Sequence, residues 1–309
     1  MFKIALFGYS GAGKTTLFRI LTGKKDEGYD PFKPNAGVGT YKDKHLASIA
    51  EIHKARKTVY PEFEFYDFKG FPSGEGFPGG FFRNLADMDA VACVVNNFTD
   101  GANPAGEADS LLMELVFYDT ERVQSVLQAR QDNAESVSSL QEESLKQGLK
   151  LLEQERFLNE LPGEAKQFLQ GMELATVKPA LVCFNGNKVR IDRDPPPSVR
   201  QDFSQQGFEE ELYKLAMRQL SLITFYTVKG DIARGWLVPA HYTARQAAGS
   251  VHKDMEKGFI KAAAVNFQEF AGFGSWQDAK HAGALKFLGP DAHLTDGDIV
   301  EFYFTPNPS

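Results

Sequence analysis

A glycine-rich segment near the start of the chain constrains the fold more than any other feature. Gly8–Thr15 reads Gly-Tyr-Ser-Gly-Ala-Gly-Lys-Thr and fits the pattern G-x-x-x-x-G-K-[ST]. An apolar run over residues 2–7 precedes it and a helix-like run over residues 16–21 follows it, which predicts a strand, a loop and a helix in succession. In such a loop, backbone N–H groups converge on phosphate oxygens at the positive end of the helix. The segment therefore predicts an α/β domain that binds a nucleoside triphosphate.

The residue types in this loop predict what each position does. Lys14 is expected to reach the β- and γ-phosphates and to act catalytically by stabilising their charge. Thr15 is expected to place its hydroxyl on Mg²⁺. Contacts with the nucleotide are expected from Gly11, Ala12, Gly13, Lys14, Thr15 and Thr16.

A second motif supplies the other groups that a triphosphate site needs. Asp67-Phe68-Lys69-Gly70 follows an apolar strand-like run and fits D-x-x-G. Asp67 is expected to hold Mg²⁺ through water, and the Gly70 N–H is expected to act catalytically by bonding the γ-phosphate. The glycine-rich residues 71–80 that follow suit a switch segment that moves with the nucleotide state. Phe71 occupies the position where many GTPases carry a glutamine that orients the attacking water, so another group must do this or hydrolysis is slow.

Composition excludes several other classes of protein. The chain has 309 residues and a formal net charge of −7, which argues against a generally basic protein that coats nucleic acid, and no DNA partner is expected. No apolar run reaches membrane-spanning length, so no membrane partner is expected. Cys93 and Cys183 lie in apolar, strand-like runs, which favours a reducing, cytoplasmic location over a disulfide framework. The histidines are scattered, and a zinc site is not expected.

The composition and the pattern of predicted secondary structure change twice along the chain. Up to residue 118, strand-like and helix-like segments alternate, with the last of these strands predicted over Glu114–Tyr118. Residues 119–171 are polar and rich in Gln, Glu, Lys and Leu at helical spacing, and we read them as two antiparallel helices. From Ile223 onward, a predicted hairpin around Lys229-Gly230-Asp231 begins a small α+β module.

The order of these motifs resembles the YchF-type (Obg-like ATPase) branch of the translation-factor-related GTPases. The resemblance covers nearly the whole chain and is most specific near the C-terminus. The matching segments are 34–38, 74–76, 178–179, 222–227, 246–249, His252, 256–260 and 296–298.

The resemblance implies the domain organisation and a function. The expected fold class is an α/β P-loop NTPase domain (residues 1–118 and 172–220) with an inserted α-helical arm (119–171) and a C-terminal β-grasp, TGS-like domain (221–309). It implies hydrolysis of GTP or ATP with Mg²⁺, coupled to binding of a ribosome or RNA through the TGS-like domain and the arm. An apolar residue at the Phe71 position is itself a trait of the family.

The chain also departs from the family pattern. Ser10-Gly11 stands where the family usually has Pro-Asn, and no threonine follows Pro31-Phe32 in the first switch. The base-reading motif is reduced to Asn185-Gly186-Asn187-Lys188. Asn185 retains the chemistry to hydrogen-bond a purine, whereas Lys188 cannot accept the N–H bonds by which a carboxylate selects guanine.

Two other functions remain open on the sequence. The departures fit a non-catalytic pseudo-GTPase whose TGS-like domain and helical arm bind RNA or a protein partner. A P-loop kinase of a small metabolite shares the Gly13-Lys14-Thr15 chemistry, but the D-x-x-G motif and the C-terminal module argue against it.

Overall fold

A computed structural model of the chain describes residues 1–24, 33–78, 80–133, 139–189, 198–201, 203 and 207–305. In chain order its strands and α-helices are β1 (Phe2–Phe7), α1 (Lys14–Thr22), β2 (Asn35–Thr40), α2 (Lys44–Ile52), β3 (Lys57–Val59), β4 (Glu62–Asp67), α3 (Phe81–Ala86), β5 (Ala90–Asn96), α4 (Pro104–Asn133), α5 (Ser139–Leu152), α6 (Gly163–Gln170), β6 (Ala180–Asn185), β7 (Ser198–Gln201), α7 (Phe208–Gln219), β8 (Leu222–Lys229), β9 (Ile232–Pro239), α8 (Ala244–Val251), α9 (Lys253–Lys257), β10 (Phe259–Asn266), α10 (Phe267–Phe270), α11 (Trp276–His281), β11 (Lys286–Leu288) and β12 (Asp298–Phe304).

The chain divides into two compact units, each built from two stretches of sequence. Unit 1 comprises Met1–Gly39 and Phe63–Gln219, and unit 2 comprises Thr40–Glu62 and Leu220–Ser309. The sequence analysis predicts that residues 40–62 belong to the nucleotide-binding domain, whereas in the structure they pack with the C-terminal module.

Unit 1 is organised around a six-stranded sheet in the order β2-β4-β1-β5-β6-β7. Strand β1 runs parallel to β4 and β5, and β6 runs parallel to β5 and β7. Residues 90–95 of β5 are buried without exception, as expected for a central parallel strand covered on both faces. Because these strands are parallel, their carboxyl ends meet at one edge of the sheet, and the loops after β1 and β4 therefore lie together.

The helical arm begins inside a long helix rather than after a strand. Glu114–Tyr118, predicted as a strand, lies in the middle of α4, and this prediction is wrong. Leu111, Leu112, Leu115 and Val116 are buried at helical spacing, so the apolar run belongs to one helix face. The arm has its own core cluster, which includes Val123, Leu145, Leu152, Leu158 and Leu169.

A buried carboxylate fixes the base of the arm. Asp119 accepts hydrogen bonds from the backbone N–H groups of Ala175 (3.0 Å) and Thr176 (2.7 Å) and from the Thr176 hydroxyl (2.6 Å). Burial raises the pKa of Asp119, and these hydrogen bonds partly offset that effect. The segment that returns from the arm is therefore tied to α4 where it re-enters the sheet.

Unit 2 contains a second six-stranded sheet in the order β11-β10-β12-β8-β9-β3. The predicted hairpin is observed, because β8 and β9 pair antiparallel from Leu222↔Pro239 to Lys229↔Ile232. Strand β12 pairs antiparallel with β10 and parallel with β8. Helix α8 begins at a capping box in which Thr243 and Gln246 bond each other's backbone N–H groups.

Residues 40–62 contribute both a helix and a strand to this unit. Strand β3 pairs parallel with β9 at the edge of the sheet. Leu46 and Ile49, both fully buried, pack in one cluster with Tyr226 and Phe270. Asp43 caps α2 by accepting from the His45 N–H (2.8 Å), and its other oxygen accepts from the Tyr226 hydroxyl (2.5 Å). The C-terminal module is therefore completed by a distant stretch of the chain.

Among the described residues, no helix combines the length and the apolar composition needed to span a bilayer. The first-switch residues Pro31-Phe32 and the predicted loop Arg190–Pro197 lie outside the described residues.

Candidate nucleotide-binding site

The loop between β1 and α1 adopts backbone conformations that explain its glycines. Gly8, Gly11 and Gly13 have φ values of +147°, +84° and +98°, which side-chain-bearing residues rarely adopt. A Cβ at Gly8 would collide with the carbonyl of Val94, and one at Gly13 would collide with the Asn185 side chain. The glycines thus permit both the loop conformation and its close approach to β5 and β6.

Lys14 is buried at the first position of α1. Its Nζ donates a hydrogen bond to the backbone oxygen of Tyr9, at 2.8 Å, so the side chain folds back over the loop. Burial lowers the pKa of Lys14, and the negative charge of nearby Asp67 partly offsets this effect. A buried lysine at the start of a helix that follows a glycine-rich loop is suited to bind an anion at the loop.

The structure brings Thr15 and Asp67 together, as the two motifs predict. The Thr15 hydroxyl donates to Oδ2 of Asp67 at 2.8 Å, although the residues are 52 positions apart. Asp67 ends β4 and is fully buried, and Thr15 lies in the first turn of α1. The contact follows from the sheet order, because β4 is the direct neighbour of β1.

Gly70 lies directly against the phosphate-binding loop. A Cβ on Gly70 would come within 2.7 Å of the Lys14 Nζ and 3.0 Å of the Ser10 Cα. The next residue is joined to the loop by a hydrogen bond from the Ser10 N–H to the Phe71 carbonyl, at 2.9 Å. The D-x-x-G segment is therefore in contact with the loop in this structure.

Phe71 is buried in an aromatic cluster and is 5% exposed. Its ring makes edge contacts with Tyr9 and Phe77, with centroids 5.4 Å and 4.9 Å apart, and Phe77 stacks on Phe81 at 4.0 Å. These contacts hold the segment after Gly70 by apolar packing. A phenyl ring has no hydrogen-bonding group, so it cannot orient a water molecule.

Asn185 lies at the carboxyl end of β6 and contacts the same loop. Its Nδ2 donates to the carbonyl of Ala12 at 3.1 Å. The amide carries a second N–H and a carbonyl oxygen, which remain chemically suited to a purine. Among the other predicted contact residues, Ala12 is buried, whereas Gly11 and Thr16 are exposed.

The loop after β6 is organised by a residue that the sequence analysis missed. Buried Asn97 donates from Nδ2 to the carbonyls of Gly186 (3.3 Å) and Val189 (3.2 Å), and its Oδ1 accepts from the Val189 N–H at 2.9 Å. Its position just after β5, at the same edge as the P-loop, was the available signal. Lys188 pairs with Asp100 at 2.6 Å, so its charge is directed towards that carboxylate.

A polar cavity of about 500 Å³ borders the loop on the side of Tyr9 and Ser73. Asp100 and Glu107 are among its lining residues, and no lysine or arginine of the described chain lines it. Burial raises the pKa of Glu107, an effect partly offset by a hydrogen bond from the Asn96 backbone. This acidic lining does not favour phosphate, so the loop that holds Lys14 is the better suited of the two places for an anion.

The sheet order, the glycine loop and the Thr15–Asp67 contact define a P-loop protein of the nucleoside triphosphatase fold class, with an inserted helical arm and a C-terminal α+β module. Comparison with known proteins shows which proteins this chain resembles. Residues 222–305 match the family model YchF-GTPase_C, described as "Protein of unknown function (DUF933)".

Relatives match over nearly the whole chain. The chain is 29% identical to the protein named "Ribosome-binding ATPase YchF" of Escherichia coli O157:H7, covering 98% of this chain and 99% of that protein. It is 25% identical to the protein of the same name in Bacillus subtilis strain 168, covering 97% and 98% respectively. The fold is similar to that of the Schizosaccharomyces pombe YchF GTPase, with a TM-score of 0.77 at 20% identity, covering 98% of this chain and 97% of that one.

The resemblance to the YchF-type family that the motifs indicated is confirmed by these comparisons. The predicted fold class is also confirmed: an α/β P-loop domain carries the helical arm, and the C-terminal α+β module is consistent with a TGS-like domain.

Proposed function

We propose that this chain binds a purine nucleoside triphosphate with Mg²⁺ at the P-loop, hydrolyses it slowly and acts as a switch on a ribosome-related partner. The hydrogen bond from Thr15 to Asp67 is the observation that carries the proposal. It aligns the two oxygen groups expected around the metal beside a buried lysine and a glycine-rich loop.

The donor set fits Mg²⁺. A threonine hydroxyl and an aspartate carboxylate are hard oxygen ligands of the kind that Mg²⁺ takes, with water and phosphate oxygens completing its coordination. When bound, Mg²⁺ neutralises charge on the phosphate oxygens.

The chain's own residues bind and position the triphosphate. The backbone N–H groups of Gly11 to Thr16 bond its oxygens, and Lys14 exchanges its bond to the Tyr9 carbonyl for the β- and γ-oxygens. Gly70, already against Lys14, directs its N–H towards the γ-phosphate. Asn185 bonds the base while its amide remains anchored to the loop.

Slow hydrolysis follows from Phe71. A phenylalanine stands at the position where many GTPases carry a glutamine that orients the attacking water, and its ring is buried between Tyr9 and Phe77. Turnover then depends on a group supplied from elsewhere, which suits a switch that a partner accelerates. The family relatives are named ribosome-binding ATPases, so we propose the ribosome as that partner, bound through the arm and the C-terminal module.

Phosphate release, measured with and without ribosomes and with and without Mg²⁺, tests this function. We expect Mg²⁺-dependent release that ribosomes increase. Gly70→Ala should reduce it strongly, because the added methyl would meet Lys14 and Ser10. Gly76→Ala is the matched control, since nothing lies within 4 Å of a Cβ there and its φ is not positive.

The same assay separates the alternative function. Saturable triphosphate binding without Mg²⁺-dependent release under either condition would favour the non-catalytic pseudo-GTPase, whose C-terminal module and arm do the binding. Transfer of phosphate to a small acceptor would instead favour a kinase.

A further inference from the structure

A second cavity, of about 540 Å³, lies in unit 1 at the base of the helical arm. Helix α4 forms one wall and the turn after α5 forms another. Ala180, at the start of β6, lines a third side. The P-loop follows the carboxyl end of β1, whereas Ala180 lies at the amino end of β6, and these strands run parallel through β5. The cavity is therefore at the edge of the sheet opposite the nucleotide site.

The wall formed by α4 is apolar. Leu112, Met113 and Val116 line it, and Phe157 faces it from the turn. Leu112 belongs to the core of the sheet and Val116 to the core of the arm, while Phe157 packs against both. The cavity thus opens where the two cores meet, and an occupant would touch both.

The rim of the cavity is acidic. Three carboxylates line it, from Asp109, Glu155 and Glu160, against one guanidinium from Arg156. Both Nε and an Nη of Arg156 donate to the same oxygen of Glu160, at 3.1 and 2.5 Å, which balances the positive charge. The rim therefore has a negative formal charge and repels anions.

The backbone at the rim is strained. Glu155 has φ of +59°, in the left-handed region that residues other than glycine, asparagine and aspartate seldom adopt. The strain is maintained by a tight turn in which the Glu155 N–H bonds the Leu152 carbonyl at 2.8 Å. Together with the hydrogen bond from the Arg156 N–H to the Leu151 carbonyl, at 3.2 Å, this turn ends α5 and fixes Glu155 and Arg156 at the rim.

We propose that this cavity binds a small amphipathic cation, with an apolar body against α4 and an ammonium group among the rim carboxylates. Its volume is within the 300–1,000 Å³ range of small-molecule sites, which are mostly apolar with a few placed polar groups. An occupant that touches both cores would stabilise the arm against the nucleotide-binding domain. The site differs from the nucleotide site in place and in the charge it selects.

Calorimetric titration of the full chain with 2-phenylethylamine tests the proposal, with 2-phenylethanol as the neutral analogue of the same size. We expect saturable binding of the amine and binding of the alcohol that is weaker by about fivefold or more, as a partly exposed ion pair contributes about 1 kcal/mol. Equal affinities, or no saturable binding of the amine, would overturn the proposal.

Two pairs of variants locate the binding. Met113→Trp fills the cavity and should abolish binding of the amine, whereas Phe117→Trp, at an exposed position on the same helix outside the cavity, should not. Glu155→Gln should weaken amine binding, and Glu153→Gln, exposed nearby but outside the cavity, should leave it unchanged. Binding unaffected by Met113→Trp would place the amine elsewhere. Triphosphate binding, measured on the same samples, reports separately on the P-loop.

Discussion

The dependence of unit 2 on residues 40–62 gives a quantitative prediction. Leu46 is fully buried in the cluster that contains Tyr226 and Phe270, and its Cδ2 lies 3.3 Å from the position of a Cβ on Gly235. Leu46→Ala removes three buried carbon groups, at about 0.8 kcal/mol each in transfer free energy. The cavity left behind adds to this, so we expect unit 2 to lose about 3–4 kcal/mol of unfolding free energy.

Tryptophan fluorescence isolates this effect. The chain has two tryptophans, Trp236 and Trp276, and both lie in unit 2. In urea, with a slope of about 1–3 kcal/mol per molar, the fluorescence midpoint should fall by about 1–4 M. Glu51→Ala, at an exposed position on the same helix, should shift the stability by no more than about 0.5 kcal/mol. A fluorescence midpoint that does not move in Leu46→Ala would refute the assignment of α2 to unit 2.

Three further predictions follow from buried polar groups. Tyr226→Phe leaves one Asp43 oxygen without its donor and should cost unit 2 about 2 kcal/mol, read by the same fluorescence. Burial against Phe270 lowers the pKa of His53, so as the pH falls the imidazole is protonated in the unfolded state before it is protonated in the folded state. The free energy of unfolding should therefore decrease as the pH drops below about 6.5. Urea titrations at several pH values should show that His53→Phe removes this dependence. Asn97→Ala unpairs the backbone groups held after β6 and should lower unit 1 stability by about 2 kcal/mol, measured by circular dichroism, whereas an unchanged midpoint would contradict its structural role.

The centre of the site was predictable from sequence because its geometry is local or set by strand order. A glycine loop between a strand and a helix fixes where Lys14 and Thr15 lie. Asp67 ends β4, and Thr15 lies in the helix that follows β1. Since β1 and β4 are parallel neighbours, the two residues come within hydrogen-bond distance. Motif spacing therefore contained enough information to bring the two residues together.

The division into units was not predictable in the same way. The apolar spacing of Leu46 and Ile49 indicates a helix with one buried face, but spacing does not say which sheet covers that face. Pairing of β3 with β9 joins residues far apart in sequence, and no local signal marks it. The placement of residues 40–62 therefore could not be predicted from the local sequence pattern. The domain boundaries predicted at residues 118, 172 and 220 stay predictions.

The other error has a different cause. Glu114–Tyr118 is a short apolar run, and such a run has no periodicity that separates a strand from a buried helix segment. Its neighbours Leu111 and Leu112 continue the helical spacing, so a longer window would have favoured the helix that is observed.

Calorimetric binding of ATP and of GTP in the presence of Mg²⁺, measured on the wild-type chain and on Lys14→Ala, tests the central claim most directly. The wild type and the control Lys150→Ala, which removes an exposed lysine of the arm, should bind triphosphate saturably. Lys14→Ala should weaken binding by about 100-fold or more, because charged hydrogen bonds to the phosphates are lost. Equal affinities in the wild type and Lys14→Ala would contradict the assignment of the P-loop as the nucleotide site.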